Sequence, residues 1–166
     1  MIFGKLSGKA SFMAKQYWLM KSEPETYPLS SLKKDKTTWW TGVRNYQARN
    51  FMMNDMKVGD EVLFYHSNAE PAGVAGLARI SKTAEPDITQ FDKKSDGFDP
   101  KASKEKPIWF CTQVEFVQEF KNFVSLDTLR ATKELADMQV LKKGQRLSIQ
   151  PVTAAEFARV KKLGGI

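Results

Sequence analysis

Apolar residues along this chain gather in short runs between polar turns, a pattern that predicts a sheet with only short helices. Strands are predicted at residues 16–21, 61–67, 74–80, 108–119 and 146–150. Their aromatic and aliphatic content is typical of strands, and residues 112–117 alternate between polar and apolar positions. Pro151 is predicted to close the last strand, because proline has no N–H to donate to a sheet.

Helix signals lie between these runs. Helices are predicted at residues 28–34, 46–56 and 126–136 and after Thr153. Asn45 and Ser125 are good N-cap residues, and Thr153 with Glu156 forms a capping box before the last helix, which Gly164 stops. With five or six strands, short helices and no βαβ repetition, the pattern predicts an α+β fold or a small curved barrel.

Two segments lack a regular pattern. Residues 1–15 carry glycines and lysines without a clear period, and they are predicted to be a leader or flexible N-terminal extension, with Met13 as a candidate native start. Residues 83–106 are polar and contain proline and glycine, which predicts a long loop. Loops of that length are uncommon unless they are functional or mobile. A single domain is predicted over residues 16–166, a length that suits one hydrophobic core.

Composition limits the class of protein more strongly than it limits the function. The chain of 166 residues is 42% hydrophobic and 27% charged, and no apolar run approaches the ~20 residues of a membrane-spanning helix. The net charge of +7 favours polyanionic partners. Lys5, Lys9 and Lys15 lie in the predicted extension, so the predicted domain keeps an excess of about +4. Charge alone therefore favours nucleic acid only slightly over a neutral ligand.

Few residues offer catalytic or metal-binding chemistry. Cys111 and His66 are the only residues of their types, which excludes an internal disulfide and a typical zinc site and favours a reducing compartment. Cys111 lies in an apolar strand, where a buried thiol has a raised pKa and is inert. The glycines do not form a phosphate-binding loop. We interpret His66 as a hydrogen-bonding pocket residue rather than a general base.

The stretch from Trp39 to Asn50 combines two indoles, a flexible glycine, two arginines and several amides. Buried amides and guanidinium groups need partners, so few core elements tolerate that mixture. Aromatic faces beside Arg and Asn are typical of sites that hold a planar nitrogenous base. The stretch therefore predicts a base-sized pocket, with Trp39 and Trp40 as ordinary core residues the alternative.

Three longer motifs carry a family resemblance: WLMKSEP at 18–24, WTGVRNYQARN at 40–50 and GDEVLFYHSN at 59–68. With them, residues 16–163 closely resemble the EVE domain family. The resemblance implies a PUA-like fold, with a curved barrel of five to six strands and short peripheral helices. It also implies a pocket that reads modified bases in DNA or RNA. The pocket residues implied by motif are Lys21, Ser22, Trp40, Val43, Arg44, Asn45, Tyr65, His66, Ser67, Asp99, Gln150 and Pro151.

These observations lead to the expectation of a non-enzymatic reader of a modified nucleobase. We expect no cofactor, a nucleic-acid partner, a monomer, no membrane association, and a cytoplasmic location, or a nuclear one in a eukaryote. In the pocket, Asn45 would read the base edge, while Lys21, Arg44 and Arg49 would hold flanking phosphates. Two alternatives stay open. One is an ASCH-like amidohydrolase that uses Lys21 and a loop carboxylate on a modified nucleoside, and the other is a binder of small molecules or peptides.

Overall fold

A computed structural model gives the structure of residues 14–166. The predicted extension at residues 1–15 lies outside the described residues except for Ala14 and Lys15, which have no regular structure. The candidate start at Met13 also lies outside that range.

The described chain forms one six-stranded mixed sheet. Its strands are β1 (Tyr17–Ser22), β2 (Thr37–Trp39), β3 (Glu61–His66), β4 (Gly73–Pro86), β5 (Phe110–Ser125) and β6 (Ile149–Val152). The order across the sheet is β2-β5-β4-β3-β1-β6, and only β1 and β3 run parallel. The outer strands β2 and β6 pair with no strand of residues 14–166 beyond β5 and β1, so the barrel is open. The predicted class, α+β with a PUA-like six-stranded fold, is confirmed.

Short helices flank the sheet. They are α1 (Leu29–Asp35), α2 (Tyr46–Asn50, continued by a π-helical turn Phe51–Asp55), α3 (Leu126–Ala131) and α4 (Ala154–Leu163). The predicted caps are confirmed: Asn45 accepts from the Ala48 N–H, Ser125 accepts from the Thr128 N–H, and Thr153 makes its capping box. The longest of these helices has 10 residues. None in the described part of the chain is therefore long and apolar enough to cross a membrane.

Some strands are longer than the hydrophobic runs in the sequence, or have no such run. Pairing with a neighbouring strand, rather than hydrophobicity, holds these residues in the sheet. β4 continues to Pro86 and β5 runs from Phe110 to Ser125, because the two strands pair along most of their lengths with several bulges. The last residues of β4 are polar, and the sequence pattern therefore predicted a loop that begins at residue 83. Within that loop, residues 88–91 form a 3₁₀ turn. The short strand β2 was not predicted, and it forms by pairing with β5.

Pro151 does not close the last strand but lies inside β6. Within residues 14–166, β6 pairs only with β1, and Lys21 donates its N–H to the Ser148 carbonyl at 2.9 Å. Hydrogen-bonded and non-hydrogen-bonded pairs alternate in an antiparallel ladder. Pro151, opposite Trp18, therefore takes a non-hydrogen-bonded position, where its missing N–H removes no bond from the sheet.

Hydrophobic clusters cover both faces of the sheet. Along β1, Trp18 and Met20 point into one cluster and Leu19 points into the other, as the two-residue period of a strand requires. β3 divides in the same way, since Phe64 lies in the first cluster and Leu63 in the second. The parallel pairing of β1 with β3 brings their carboxyl ends to one edge of the sheet. The cleft described below opens at that edge.

Candidate functional site

A cleft of about 530 Å³ opens where β1 ends, beside β2 and the segment that follows it. This volume is typical of sites for small ligands. The cleft is lined by Lys21, Ser22, Glu23, Thr26, Tyr27, Thr38, Trp39, Trp40, Thr41, Gly42, Val43, Arg44 and Ser148. Five predicted pocket residues are brought together here: Lys21, Ser22, Trp40, Val43 and Arg44.

Two consecutive tryptophans form the aromatic wall, but they differ in exposure. Trp40 is only 8% exposed and packs edge-on against Phe64, with ring centroids 5.7 Å apart. It is therefore mainly a core residue that shows a small part of its ring to the cleft. Trp39 is half-buried, and Lys82, which does not line the cleft, places its Nζ 6.0 Å from the Trp39 ring. Trp39 belongs to the stretch that was predicted to build the pocket, but it was not among the pocket residues implied by the family motifs.

Lys21 supplies the available positive charge of the cleft. Burial lowers the pKa of its ammonium, and no carboxylate of residues 14–166 lies within ion-pairing distance of it. Ser22, its neighbour, donates its hydroxyl to the Tyr27 carbonyl at 2.5 Å. The Ser22 oxygen can therefore still accept a hydrogen bond from a ligand, while Lys21 can donate one.

Arg44 lines the cleft but has no donor to spare. Its five N–H groups are directed at the Val43 carbonyl, the Gly97 carbonyl, the Thr89 hydroxyl and the Asp87 carboxylate, at distances of 2.6 to 3.0 Å. A guanidinium group has five donors, and all are used inside the protein. Arg44 therefore shapes the cleft wall, and it has no free donor for the phosphate contact that was predicted for it.

Asp87 is a supporting residue that sequence reasoning missed. Its carboxylate accepts from the Gly42 N–H at 2.8 Å, from Arg44 at 3.0 Å, and from the N–H and hydroxyl of Thr89 at 2.9 and 2.6 Å. Burial alone would raise the pKa of Asp87, but these hydrogen bonds outweigh burial and lower it below its ordinary value. The only local sign of this role in the sequence was an Asp at the N-cap of the 3₁₀ turn. Its contacts with residues 42 and 44 join positions that are far apart in the sequence.

Gly42 allows the chain to turn between the tryptophans and Arg44. Its φ of +87° lies in the left-handed region, which favours glycine, and a Cβ there would meet no atom within 4 Å. The backbone conformation, rather than crowding, therefore requires glycine. The turn directs the Gly42 N–H at Asp87 and joins the cleft wall to the segment after β4.

Four predicted pocket residues near the cleft hold its frame instead of lining it. Asn45 uses its carbonyl oxygen to cap α2. His66 accepts from the Leu29 N–H at 3.1 Å, which supports the start of α1, and burial lowers its pKa. The side chain of Tyr65 belongs to the second cluster, since it alternates with Phe64, and burial raises its pKa. Ser67 donates its backbone N–H to the Ser22 carbonyl at 3.0 Å.

Three further predicted residues are also absent from the cleft lining. Asp99 accepts from the indole N–H of Trp109 at 2.8 Å and from the Lys101 N–H, and these bonds lower its pKa. Gln150 is 1% exposed and donates to the Leu147 carbonyl at 2.8 Å, and its Oε1 has no partner among residues 14–166. Pro151 is exposed on β6. The distant pairing of β6 with β1 places Gln150 and Pro151, whereas the side-chain bonds of Asp99 join residues ten or fewer positions apart.

The chemistry of the cleft suits binding of a flat polar ligand. It combines indole faces, an ammonium group that has no ion-pair partner among residues 14–166, several hydroxyls and the carboxylate of Glu23. Cys111 lies outside it, and burial raises the pKa of its thiol to about 12, in the direction predicted, which disfavours the reactive thiolate. Residues 14–166 contain no group of three His, Cys, Asp or Glu side chains that could hold a metal ion.

Comparisons with known proteins agree on one family. The EVE domain family model matches residues 16–163. Thymocyte nuclear protein 1 from Homo sapiens is 44% identical over 159 residues, which cover 85% of this chain and 70% of the relative. A crystal structure of the human THYN1 protein in complex with DNA containing 5-methylcytosine is 42% identical, with a TM-score of 0.85 over 92% of this chain and 99% of that one. A mutant ZmASCH protein from Zymomonas mobilis has a TM-score of 0.53 over 90% of this chain and 99% of that one, but at 11% identity it shows the fold alone.

Proposed function

This chain belongs to the EVE domain family, and from that premise we propose that its cleft binds a modified nucleobase of DNA or RNA without transforming it. The observation that carries the proposal is the pairing of an aromatic wall with an unpaired, half-buried ammonium group in one cleft of about 530 Å³. The complex of human THYN1 with DNA containing 5-methylcytosine supports it and makes that base the first ligand to test.

Stacking supplies the affinity in this proposal. Trp39 offers the more accessible indole, and Trp40 supports the same wall from the core. Base stacking on an aromatic side chain contributes about 1–3 kcal/mol and tolerates any base, because every base has a π-face. The wall therefore holds the base without selecting it.

Polar groups supply selectivity. Lys21 donates to a carbonyl oxygen of the base or to a phosphate oxygen, and Glu23 accepts from an exocyclic amino group. Val43 lies in the same lining and offers an apolar contact for a methyl group. A base that leaves the half-buried Lys21 ammonium group unpaired is disfavoured, since a polar group that loses water without gaining a partner costs free energy. Glu23 is exposed, so it contributes less to this selection.

The decisive experiment measures binding of oligonucleotides that carry 5-methylcytosine or cytosine, by fluorescence anisotropy at two salt concentrations. We expect tighter binding of the modified base, and an affinity that falls with salt by a log–log slope near ~0.7 per phosphate contact for single strands. Equal affinity for both bases refutes 5-methylcytosine as the modified base that the cleft reads. A flat salt profile removes nucleic acid from the proposal.

A matched pair of variants tests the role of the cleft. Lys21→Met and Lys162→Met each remove one positive charge, but Lys162 is an exposed residue of α4 and does not line the cleft. We expect Lys21→Met to weaken binding roughly 10- to 100-fold, as the loss of a charge-assisted hydrogen bond does. Lys162→Met is expected to have little effect. Equal losses would place the contact outside the cleft.

Three accompanying proposals concern the whole chain. Residues 16–166 act as one domain, and residues 1–15 are not needed for binding. The protein acts as a monomer, in the nucleus if its source is a eukaryote and otherwise in the cytoplasm. Binding by a protein that lacks residues 1–15, together with its sedimentation with and without ligand, tests the first two.

A second candidate function is hydrolysis of an acylated nucleoside. It is favoured by Lys21, whose pKa burial lowers, lying in the same cleft as the carboxylate of Glu23. An amine with a lowered pKa is a better base or nucleophile at neutral pH. Incubation with acylated cytidines, followed by chromatography, decides the matter. Turnover that Lys21→Met abolishes supports the enzyme, and no turnover by a protein that binds the oligonucleotide supports the reader. Salt-independent binding of free nucleosides alone would instead favour a small-molecule binder.

A further inference from the structure

A second aromatic surface lies outside the cleft lining and carries none of the roles described above. Tyr46, the first residue of α2, is 58% exposed, and its ring stacks on Trp109 with centroids 4.8 Å apart and planes 26° apart. Trp109 itself is buried and held by the bond from its indole N–H to Asp99. Tyr46 therefore presents a ring that is supported from beneath.

The outer face of Tyr46 is open. The Arg49 Cζ lies 4.8 Å from the Tyr46 centroid and 5.8 Å from the Trp109 centroid. Since the two centroids are also 4.8 Å apart, the three points form an isosceles triangle rather than a line. The guanidinium group therefore lies beside the stacked pair, and it does not cover the face of Tyr46 that points away from Trp109.

Arg49 has the free donors that Arg44 lacks. It donates to the Ile108 carbonyl at 2.9 Å and twice to the amide oxygen of Asn50, which leaves two of its five N–H groups unused within residues 14–166. No carboxylate of those residues pairs with it. An unpaired guanidinium group beside an open aromatic face suits a phosphate next to a stacked base.

The surface adjoins the cleft through Trp109. The Arg44 Cζ lies 5.3 Å from the Trp109 ring, and Arg44 is also part of the cleft wall. We propose that the outer face of Tyr46 stacks the base next to the one in the cleft, with Arg49 on the intervening phosphate. This inference rests on the proposed function and specifies its substrate as a single-stranded stretch, because a neighbouring base in a duplex keeps its own stacking partners.

The test compares two ligands: the mononucleotide 5-methyldeoxycytidine monophosphate and a trinucleotide with 5-methylcytosine at its centre. Tyr46→Leu removes the π-face but keeps apolar cover over Trp109, and Tyr46→Phe keeps both. We expect Tyr46→Leu to weaken trinucleotide binding about 5- to 100-fold, as the loss of one stacked base does, with mononucleotide binding unchanged. Tyr46→Phe is expected to bind as wild type does, and thermal unfolding checks that each variant is folded.

Abasic trinucleotides complete the test, because a purely structural Tyr46 would not respond to them. Removing the base on one side of the 5-methylcytosine should cost wild type as much as Tyr46→Leu does, and it should cost the Leu variant nothing further. Equal losses for both ligands, unchanged trinucleotide binding, or additive losses overturn the inference. Failure of the proposed function gives a different result: wild type binds 5-methylcytosine no better than cytosine, whatever Tyr46 contributes to trinucleotide binding.

Discussion

The buried carboxylate of Asp87 offers the sharpest test of how the cleft is held. Its side chain is 1% exposed, and it accepts from Gly42, Arg44 and Thr89. Asp87→Asn keeps the shape but replaces one oxygen by an NH₂ group. One oxygen of Asp87 accepts from Gly42 and Arg44, and the other accepts from the N–H and hydroxyl of Thr89. Whichever oxygen the NH₂ group replaces, the two donors on that side then face a donor instead of an acceptor.

The magnitude follows from the bonds that are lost. A hydrogen bond to a charged group contributes about 1.5–3 kcal/mol and a neutral one about 0.5–1.5 kcal/mol. The Arg44 bond and the Gly42 bond both end on the charged carboxylate, so their loss lowers the free energy of unfolding by about 3–6 kcal/mol. For a domain of this size, that corresponds to a fall of roughly 6–24 °C in Tm.

The assay is urea unfolding monitored by tryptophan fluorescence, with Asp96→Asn as the matched control. Asp96 is exposed and makes no side-chain hydrogen bond or ion pair in the described part of the chain, so its variant should unfold within about 0.5 kcal/mol of wild type. An Asp87→Asn protein as stable as the control would show that the carboxylate does not hold the cleft.

The pH dependence provides an independent check. The pKa of Asp87 is lowered in the folded state from an unfolded value near 3.9, so its charge stabilises the fold fully above that value. This contribution is lost as pH falls through the folded pKa. The difference between wild type and Asp87→Asn should therefore be constant from about pH 7 to 5 and shrink below about pH 4. A difference that persists unchanged at the lowest pH would contradict this cause.

Three other predictions concern single side chains. Trp40→Leu should lower stability by roughly 3 kcal/mol, whereas Trp39→Leu should leave stability within about 1 kcal/mol and weaken base binding roughly 5- to 100-fold; urea unfolding and anisotropy separate the two. His66, the only histidine, has a pKa lowered by burial, so the unfolded chain takes up a proton first and stability should fall as pH drops below about 6.5. His66→Gln should flatten this slope in unfolding curves between pH 7 and 5. Cys111, with its pKa raised to about 12, should stay unreactive toward a thiol reagent at pH 8 until urea unfolds the protein.

Each of these has an outcome that would contradict it. Equal losses of stability in the two tryptophan variants would mean that Trp39 is as much a core residue as Trp40. An unchanged pH slope in His66→Gln would remove the burial of His66 as the cause. Rapid labelling of native Cys111 would show that β5 opens at its first residues.

Local chemistry determined the parts of this protein that the sequence predicts well. Caps at Asn45, Ser125 and Thr153 depend on bonds between residues three apart, so the sequence alone contains both partners. The central strands β1 and β3 depend on burial of both faces, which their composition records. The long family motifs predicted the fold as a whole, and the stretch at residues 39–50 predicted the cleft wall.

Only the tertiary structure decided which side chains of that stretch remain available. Arg44 looks like a ligand-binding residue in the sequence, yet all its donors are used inside the protein, most of them by Asp87, Thr89 and Gly97. The Asn45 cap, by contrast, is a local bond that the sequence predicted. Trp39 and Trp40 differ only through the elements packed against them. Availability depends on partners that folding brings from more than forty residues away, and no local pattern records such partners.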